Sequence, residues 1–373
     1  MEKLNVVVLC GGKSVESDIS IITGYQAYSA LDEELYNKHL VLLDNNNRWW
    51  LCKGFNSVQD VISCKKSEIS LKNGDKSLYL MKKNKVKRLF EIDVAVMALH
   101  GGYGENGGIA SILEQNDIAY TSSSIYGSAT TLDKCFCKMI LENSKINVAK
   151  YCIIKKFDYY TCLDLNLEKI IKKLDFPCIV KPACLGSSIG INIAHNKNEL
   201  KKYVDLAFQF DNKILLEKAF TDFYELNISV RLKNGEIVLS QIEKPVKQDE
   251  LLSFNDKYLS NGKSKVGFGA SKGMTSLKRE IPAHIDLDIK KTLEDYAKRV
   301  YNLFDLKGIV RIDFIVSENK VYVNEINTIP GSLSFYLWNE TQTNLLNDEI
   351  NLALKFSLQR KDIVMNFEST IFK

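Results

Sequence analysis

Residues 308–331 read GIVRIDFIVSENKVYVNEINTIPG. Two β-branched runs flank Ser317–Lys320, and each alternates with a period of two, which predicts a β-hairpin turned at those four residues. Residues two apart on a strand share a face, so Asp313 on the first run and Glu325 with Asn327 on the second can point the same way. Two carboxylates and an amide, with no His or Cys nearby, form a hard-oxygen set. Such a set suits Mg²⁺, which keeps waters and completes its octahedron with phosphate oxygens. A lone Asp would only decorate a solvated strand; an R-x-D beside an E-x-N is harder to dismiss.

The rest of the chain bounds the answer. Its 373 residues are 45% hydrophobic and 26% charged, an ordinary globular composition with room for two or three domains. Fifty Lys and Arg against 46 Asp and Glu, scattered along the chain, give no basic segment that would seek nucleic acid or a membrane surface. The apolar run ending at Cys10 is too short for a signal peptide, and no later stretch approaches ~18 apolar residues, so the expected compartment is the cytoplasm. The nine cysteines lack metal-ligand spacing and read as reduced core residues.

The order of elements predicts an α/β protein. LNVVVLC is a buried strand, GGKSVES a loop, and about Asp18 to Leu31 a helix; DVAVMAL (93–99), HGGYGENGG and a helix at Ile109–Asn116 repeat the unit. This implies a parallel sheet with helices outside and ligands at the carboxyl ends of its strands. The expected domains are 1–123, 124–217 and 218–373. The second holds a helix at Leu132–Ser144 and strands at Tyr151–Lys155 and Cys178–Lys181; the third holds strands near Asn227–Val230 and Ile237–Ile242, a helix at Ile285–Phe304, the hairpin and a last helix at Leu337–Phe356. The Ser/Gly/Lys-rich stretch 253–272 reads as a lid loop.

Several motifs carry chemistry, each with a blander reading. PCIVKPACLGSSIGI (177–191) puts Lys181 at a strand end before a small-residue loop that can cradle phosphate, or else makes a tight turn with a surface lysine. It lacks the GxxxxGK[ST] spacing of a P-loop. ILLEKAFTDFYE (214–225) can pair its backbone with an adenine edge while Glu217 or Glu225 accepts from ribose hydroxyls; read alone it is a surface linker. Glu16 stands at a helix start, where a capping carboxylate and a ligand-binding one are equally at home. His100 closes a strand, as structural histidines do, yet a glycine-rich loop follows it.

Taken together and in order, GGKSVESDIS, LHGGYGENGG, LDKCFCK, IVKPACLGSSIGI, EKAF, DKYLS, RIDF and NEINTIPG resemble the D-alanine-D-alanine ligases of the ATP-grasp superfamily over nearly the whole chain. The resemblance implies a parallel-sheet N-terminal domain followed by two α+β subdomains that sandwich ATP. It implies ATP with Mg²⁺, or Mn²⁺ in its place, bound as a pair of ions, and a homodimer working on small substrates. Lys134, Lys181 and Lys257 match phosphate-binding lysines; Glu217, Lys218 and Phe220 match the adenine hinge, and Glu225 the ribose acid. Asp313, Glu325 and Asn327 match the metal ligands, in agreement with the hairpin pattern. Glu16 matches the acid that binds the first substrate's ammonium and, with Ser187 and Tyr258, a set that fastens the lid. Arg311 and the N–H of Gly331 match oxyanion-stabilising groups, and His100, Tyr336 and Leu337 fall in the substrate pocket.

The implied reaction is ATP-dependent. A D-alanine carboxylate takes the γ-phosphoryl group, and the acyl phosphate is captured by a second amino acid to give a dipeptide for peptidoglycan. Phosphoryl transfer needs positioning and charge neutralisation rather than a nucleophilic triad. Tyr258 resembles the dipeptide-forming branch. The chain departs from the family where Tyr336 replaces a Ser, Phe335 a His and Leu185 an acid, which leaves the second amino acid open between D-alanine and D-serine. A catalytically inactive nucleotide-binding protein is the alternative of another class.

Overall fold

The computed structural model describes residues 2–83, 85–245 and 279–362. The strand β1 (Leu4–Gly11) is an interior strand of the first sheet; Val6 to Cys10 are fully buried, as a strand covered on both faces must be. Helix α1 (Ser17–Ala30) carries the chain over to β2 (Tyr36–Leu43), and both β2 and β7 (Val94–Met97) pair with β1 in parallel. After α3 (Gly102–Glu105) and α4 (Gly108–Gln115), β8 (Ala119–Tyr120) joins β7, also in parallel. The parallel sheet was expected; its extension was not. Antiparallel strands β3 (Trp49–Lys53), β4 (Lys65–Lys72), β5 (Asp75–Lys82) and β6 (Lys85–Glu91) widen it to eight, with α2 (Val58–Ser63) alongside.

Two antiparallel four-stranded sheets follow. The central one is built from β9 (Tyr151–Lys155), β10 (Cys178–Pro182), β11 (Asn192–Ala194) and β12 (Lys213–Lys218), in the order β11-β10-β12-β9. Helices α5 (Ile125–Leu132) and α6 (Lys134–Asn143) precede it, and α7 (Lys156–Thr161), α8 (Leu163–Leu174) and α9 (Lys197–Ala207) lie within it in sequence. One face, including Val180, Ile214 and Leu216, is buried with α8 and α9. The other face carries Lys181 on β10 and Glu217 on the neighbouring β12.

The third sheet is ordered β14-β13-β17-β18, from β13 (Tyr224–Lys233), β14 (Glu236–Leu239), β17 (Val310–Ser317) and β18 (Lys320–Asn327). Short strands β15 (Lys244–Pro245) and β16 (Arg279–Glu280) pair beside it. The inner residues Leu226, Ile228, Ile312, Phe314, Val321 and Val323 pack under α10 (Leu287–Leu303), whose Ile289, Leu293, Tyr296, Ala297 and Val300 recur at helical spacing. The hairpin turn falls at Glu318 and Asn319, both with positive φ, as a two-residue turn between twisted strands requires.

A 3₁₀ stretch (Gly331–Leu337) follows the hairpin, with Ser332, Leu333 and Ser334 all left-handed. The last helix, α11 (Gln342–Asp362), begins five residues later than expected and returns to the first sheet. Ile329, Leu333, Phe335, Leu345, Leu346, Ile350 and Ala353 belong to the same core cluster as β1. Among the described residues no helix is long and apolar enough to cross a membrane. The nine cysteines are free thiols, five of them buried.

Candidate active site

The ladder of β17 and β18 brings the hairpin carboxylates together. Arg311 lies opposite Asn327 and Asp313 opposite Glu325, so all four side chains share one face. A bulge follows, between Asp313 and Phe314, and pairs Phe314 with Val323. The extra residue, Asn324, is thereby turned onto the same side as Glu325. Arg311 donates to both carboxylate oxygens of Asp313, Nε at 2.7 Å and a terminal nitrogen at 2.9 Å, and the Asn327 amide donates to Asp313 at 3.1 Å. Burial works against the Arg311 charge, but Asp313 outweighs it and keeps the guanidinium protonated. Two carboxylates and an amide on one face fit a hard divalent cation.

Helix α6 supplies the cations that meet this face. Asp133 caps it, accepting from the N–H groups of Cys135 and Phe136. Lys134 Nζ reaches Glu325 at 2.8 Å and the Leu185 carbonyl at 2.6 Å. Burial disfavours its charge, but Glu325 raises its pKa above the usual lysine value. Lys138, one turn further, was not singled out in the sequence, although a spacing of four places it on the same helix face. It pairs with Glu217 at 2.6 Å, and Lys181 pairs with the other oxygen of Glu217 at 2.5 Å. Burial pushes the Glu217 carboxyl up, yet the two ammonium groups bring it down to about 2. Its carboxylate is thus committed to lysines, which corrects the reading of Glu217 as a ribose acceptor. Glu225, opposite Ile315 on β13, lies on the face shared with Asp313.

The remaining nucleotide residues sit where the two sheets meet. Lys218 Nζ donates to the Phe176 carbonyl at 2.9 Å, and the Phe220 ring lies 4.8 Å from that of Tyr322 on β18. Lys257, Tyr258 and the loop 253–272 lie outside the described residues.

At the N-terminal end, Ser187 Oγ donates to Glu16, across 171 residues of sequence. Glu16 makes no cap bond with its side chain, so the capping reading falls. A Cβ at the loop residue Gly186 would come within 2.7 Å of Glu16 Oε2 and push that carboxylate aside. Glu105, a residue the sequence reading passed over, accepts from Gly101 N–H at 2.8 Å and faces the same cleft. Burial, then the nearby Glu16, push its carboxyl up to about 8. His100 is buried and its pKa falls to about 4, so the ring is neutral. Thr23 Oγ1 contacts His100 Nε2 at 2.8 Å and accepts from Ser332 N–H at 3.1 Å, which ties β7 to the turn after Gly331. Glu16, Glu105, His100, Lys134, Ser187, Arg311, Asp313, Glu325, Asn327 and Gly331 line one cleft.

Two expectations for the substrate pocket change. Tyr336 Oη donates to Glu243 at 3.1 Å, and Glu243 is held in turn by Arg279 and Asn227, each at 3.1 Å. A hydroxyl has one proton, and Glu243 takes it, so Tyr336 offers a ligand only its acceptor lone pairs. The Leu337 side chain is fully buried, and its carbonyl accepts from Gln241 N–H at 3.0 Å, so only its main chain can meet a ligand.

Two antiparallel sheets meeting over a lysine-rich face, one of them bearing paired carboxylates, place the protein in the ATP-grasp class. Within that class the chain belongs to the D-alanine-D-alanine ligase family. Residues 5–123 match the family model described as D-ala D-ala ligase N-terminus, and residues 140–344 the one described as D-ala D-ala ligase C-terminus. The chain is 34% identical over 381 residues to the D-alanine--D-alanine ligase of Thermosipho africanus, covering 99% of this chain and 98% of the relative. Among solved structures, D-alanine-D-alanine ligase from Helicobacter pylori is 27% identical with a TM-score of 0.73, covering 93% of this chain and 98% of that one. The ligase from Coxiella burnetii superposes with a TM-score of 0.78 over 97% of both chains at 24% identity, a likeness of fold alone. The chain is an ATP-dependent, ADP-forming ligase of small molecules, in a family that uses a divalent metal.

Proposed function

We propose that the protein joins two D-alanines through D-alanyl phosphate, with Mg²⁺ as its metal, and so supplies the cytoplasmic precursor of peptidoglycan. The observation that carries this reading is the convergence on one cleft of Asp313 opposite Glu325 and of Lys134 and Arg311 against them. Asp313, Glu325 and Asn327 would hold the metal, which when bound neutralises phosphate charge. Lys134 and Lys181 bind and orient the phosphates. Glu16, backed by Ser187 and Glu105, takes the ammonium of the first D-alanine and aims its carboxylate at the γ-phosphoryl group. Arg311 and the Gly331 N–H receive the negative charge that develops on oxygen when the second amine attacks. Closure around the cleft excludes water that would hydrolyse the acyl phosphate.

The relatives named D-alanine--D-alanine ligase favour D-alanine over D-serine as the second substrate. The inactive-protein reading conflicts with metal-type carboxylates and lysines gathered in one cleft. The test is to incubate the protein with ATP, Mg²⁺ and D-alanine and to identify products by mass. ADP with D-alanyl-D-alanine is expected. ADP without a condensed product would defeat the amine acceptor, and failure to bind ATP would defeat the ligase reading.

A further inference from the structure

We infer that Lys138, which sits too deep to touch a ligand, is a positioning residue that leaves the Lys138–Glu217–Lys181 cluster with a net positive charge behind the phosphates and ties Lys181 to the metal-bearing hairpin. The inference rests on the proposed role of Lys181 as a phosphate lysine. The Lys138 and Glu217 side chains are each 3% exposed, and that of Lys181 10%. Lys181 and Glu217 alone would form a closed, neutral pair with no charge to offer a nucleotide. Lys138 shares the same carboxylate, one lysine to each oxygen, so the trio carries a net charge of one positive unit. The excess is expressed through Lys181, the least buried of the three.

The second half of the role is geometric. Lys138 Nζ donates to the Val323 carbonyl at 3.1 Å, on the residue just before the bulged Asn324 of β18. Asn324 Oδ1 accepts from Lys181 Nζ at 3.3 Å. Val323 N–H in turn donates to the Asn147 carbonyl at 2.9 Å, in the segment after α6. Lys138, Glu217, Lys181 and Asn324 therefore form a strut between the central sheet and the hairpin. The strut sets how far the phosphate lysine stands from Glu325, the neighbour of Asn324. The bulge is what places Asn324 and Glu325, consecutive residues, on one side: in a regular strand the two would point to opposite faces.

The test compares ATP with adenosine on wild type and Lys138→Met by calorimetry, with KM values for ATP and D-alanine measured in parallel. Lys138→Met should weaken ATP by about tenfold or more, the size expected for one unit charge removed from behind a phosphate in a partly wet cleft. Adenosine affinity and the KM for D-alanine should stay unchanged, and Lys138→Arg should restore ATP binding. ATP affinity equal to wild type, or parallel losses of ATP and adenosine, would overturn the inference. If Lys138→Met does not fold, Asn324→Ala on the more open side carries the test: the same split is expected, and wild-type ATP affinity would overturn the strut. Wild type that binds no ATP would defeat the ligase reading instead.

Discussion

Ser187 on the loop after β10 donates its hydroxyl proton to Glu16 at the start of α1, so the first sheet is latched to the central one through a residue that also faces the cleft. Breaking this latch should affect the first substrate more than the nucleotide. Glu16→Gln removes the charge offered to the ammonium and should raise the KM for the first D-alanine by about 10–100-fold, the value of a hydrogen bond to a charged group. Ser187→Ala should act in the same direction but less. Steady-state kinetics at saturating ATP check both, and an unchanged first KM would remove Glu16 from the substrate site.

Tyr336 gives its proton to Glu243, not to a ligand. Tyr336→Phe should therefore leave the KM of the second amino acid within about threefold, less than 1 kcal/mol, while costing about 1.5–3 kcal/mol of stability. Tyr336→Ser should instead widen the pocket and admit larger D-amino acids as second substrate. A competition assay with product masses reads both. A large KM effect in the Phe variant would show that the hydroxyl meets the substrate after all.

The buried Arg231 contacts Glu340 and Asp348 at 3.0 Å and Glu349 at 3.7 Å. Burial outweighs Arg231 and pushes the Glu349 carboxyl up to about 8, from an ordinary value near 4.5. The folded state thus holds this proton more tightly than the unfolded chain does. Its stabilising share is full below about pH 4.5 and is lost as pH rises toward 8. Glu105, also near 8, adds to the same slope. Buried His39 and His100, both near 4, act the other way below about pH 6.5, so the thermal midpoint should fall between about pH 6.5 and 8, and Glu349→Gln should flatten that fall. A wild-type midpoint that rises across this window would contradict the assignment.

The readable parts of this chain were those in which local pattern and burial agree. The β17–β18 hairpin was legible because one face is buried, which fixes the period-two alternation, and Asp313, Glu325 and Asn327 were found from it. Asn324 was not, because a bulge depends on the partner strand and breaks the alternation without a local signal. Strands β3–β6 were missed because their exposed positions are rich in lysine, as in Lys53, Lys65, Lys85 and Lys87, which masks a strand pattern. Lys138 carried a usable signal, its spacing of four from Lys134. Glu105 and Glu243 carried none, since their meaning comes from Glu16 and Tyr336, residues 89 and 93 positions away. Nor could local pattern show that Phe335 and Leu346 return to the core of β1.

The central claim is that the hairpin face holds the metal through which ATP is used, and Glu325→Ala tests it most directly. The Glu325 side chain is 30% exposed and sits outside the core, so the variant should fold with a thermal midpoint close to wild type. With ATP, excess Mg²⁺ and D-alanine, its rate of ADP formation should drop by about 10³-fold or more, the scale of losing a key electrostatic group for phosphoryl transfer. A folded Glu325→Ala protein that forms ADP and dipeptide at a rate within about tenfold of wild type, roughly 1.4 kcal/mol, would contradict it.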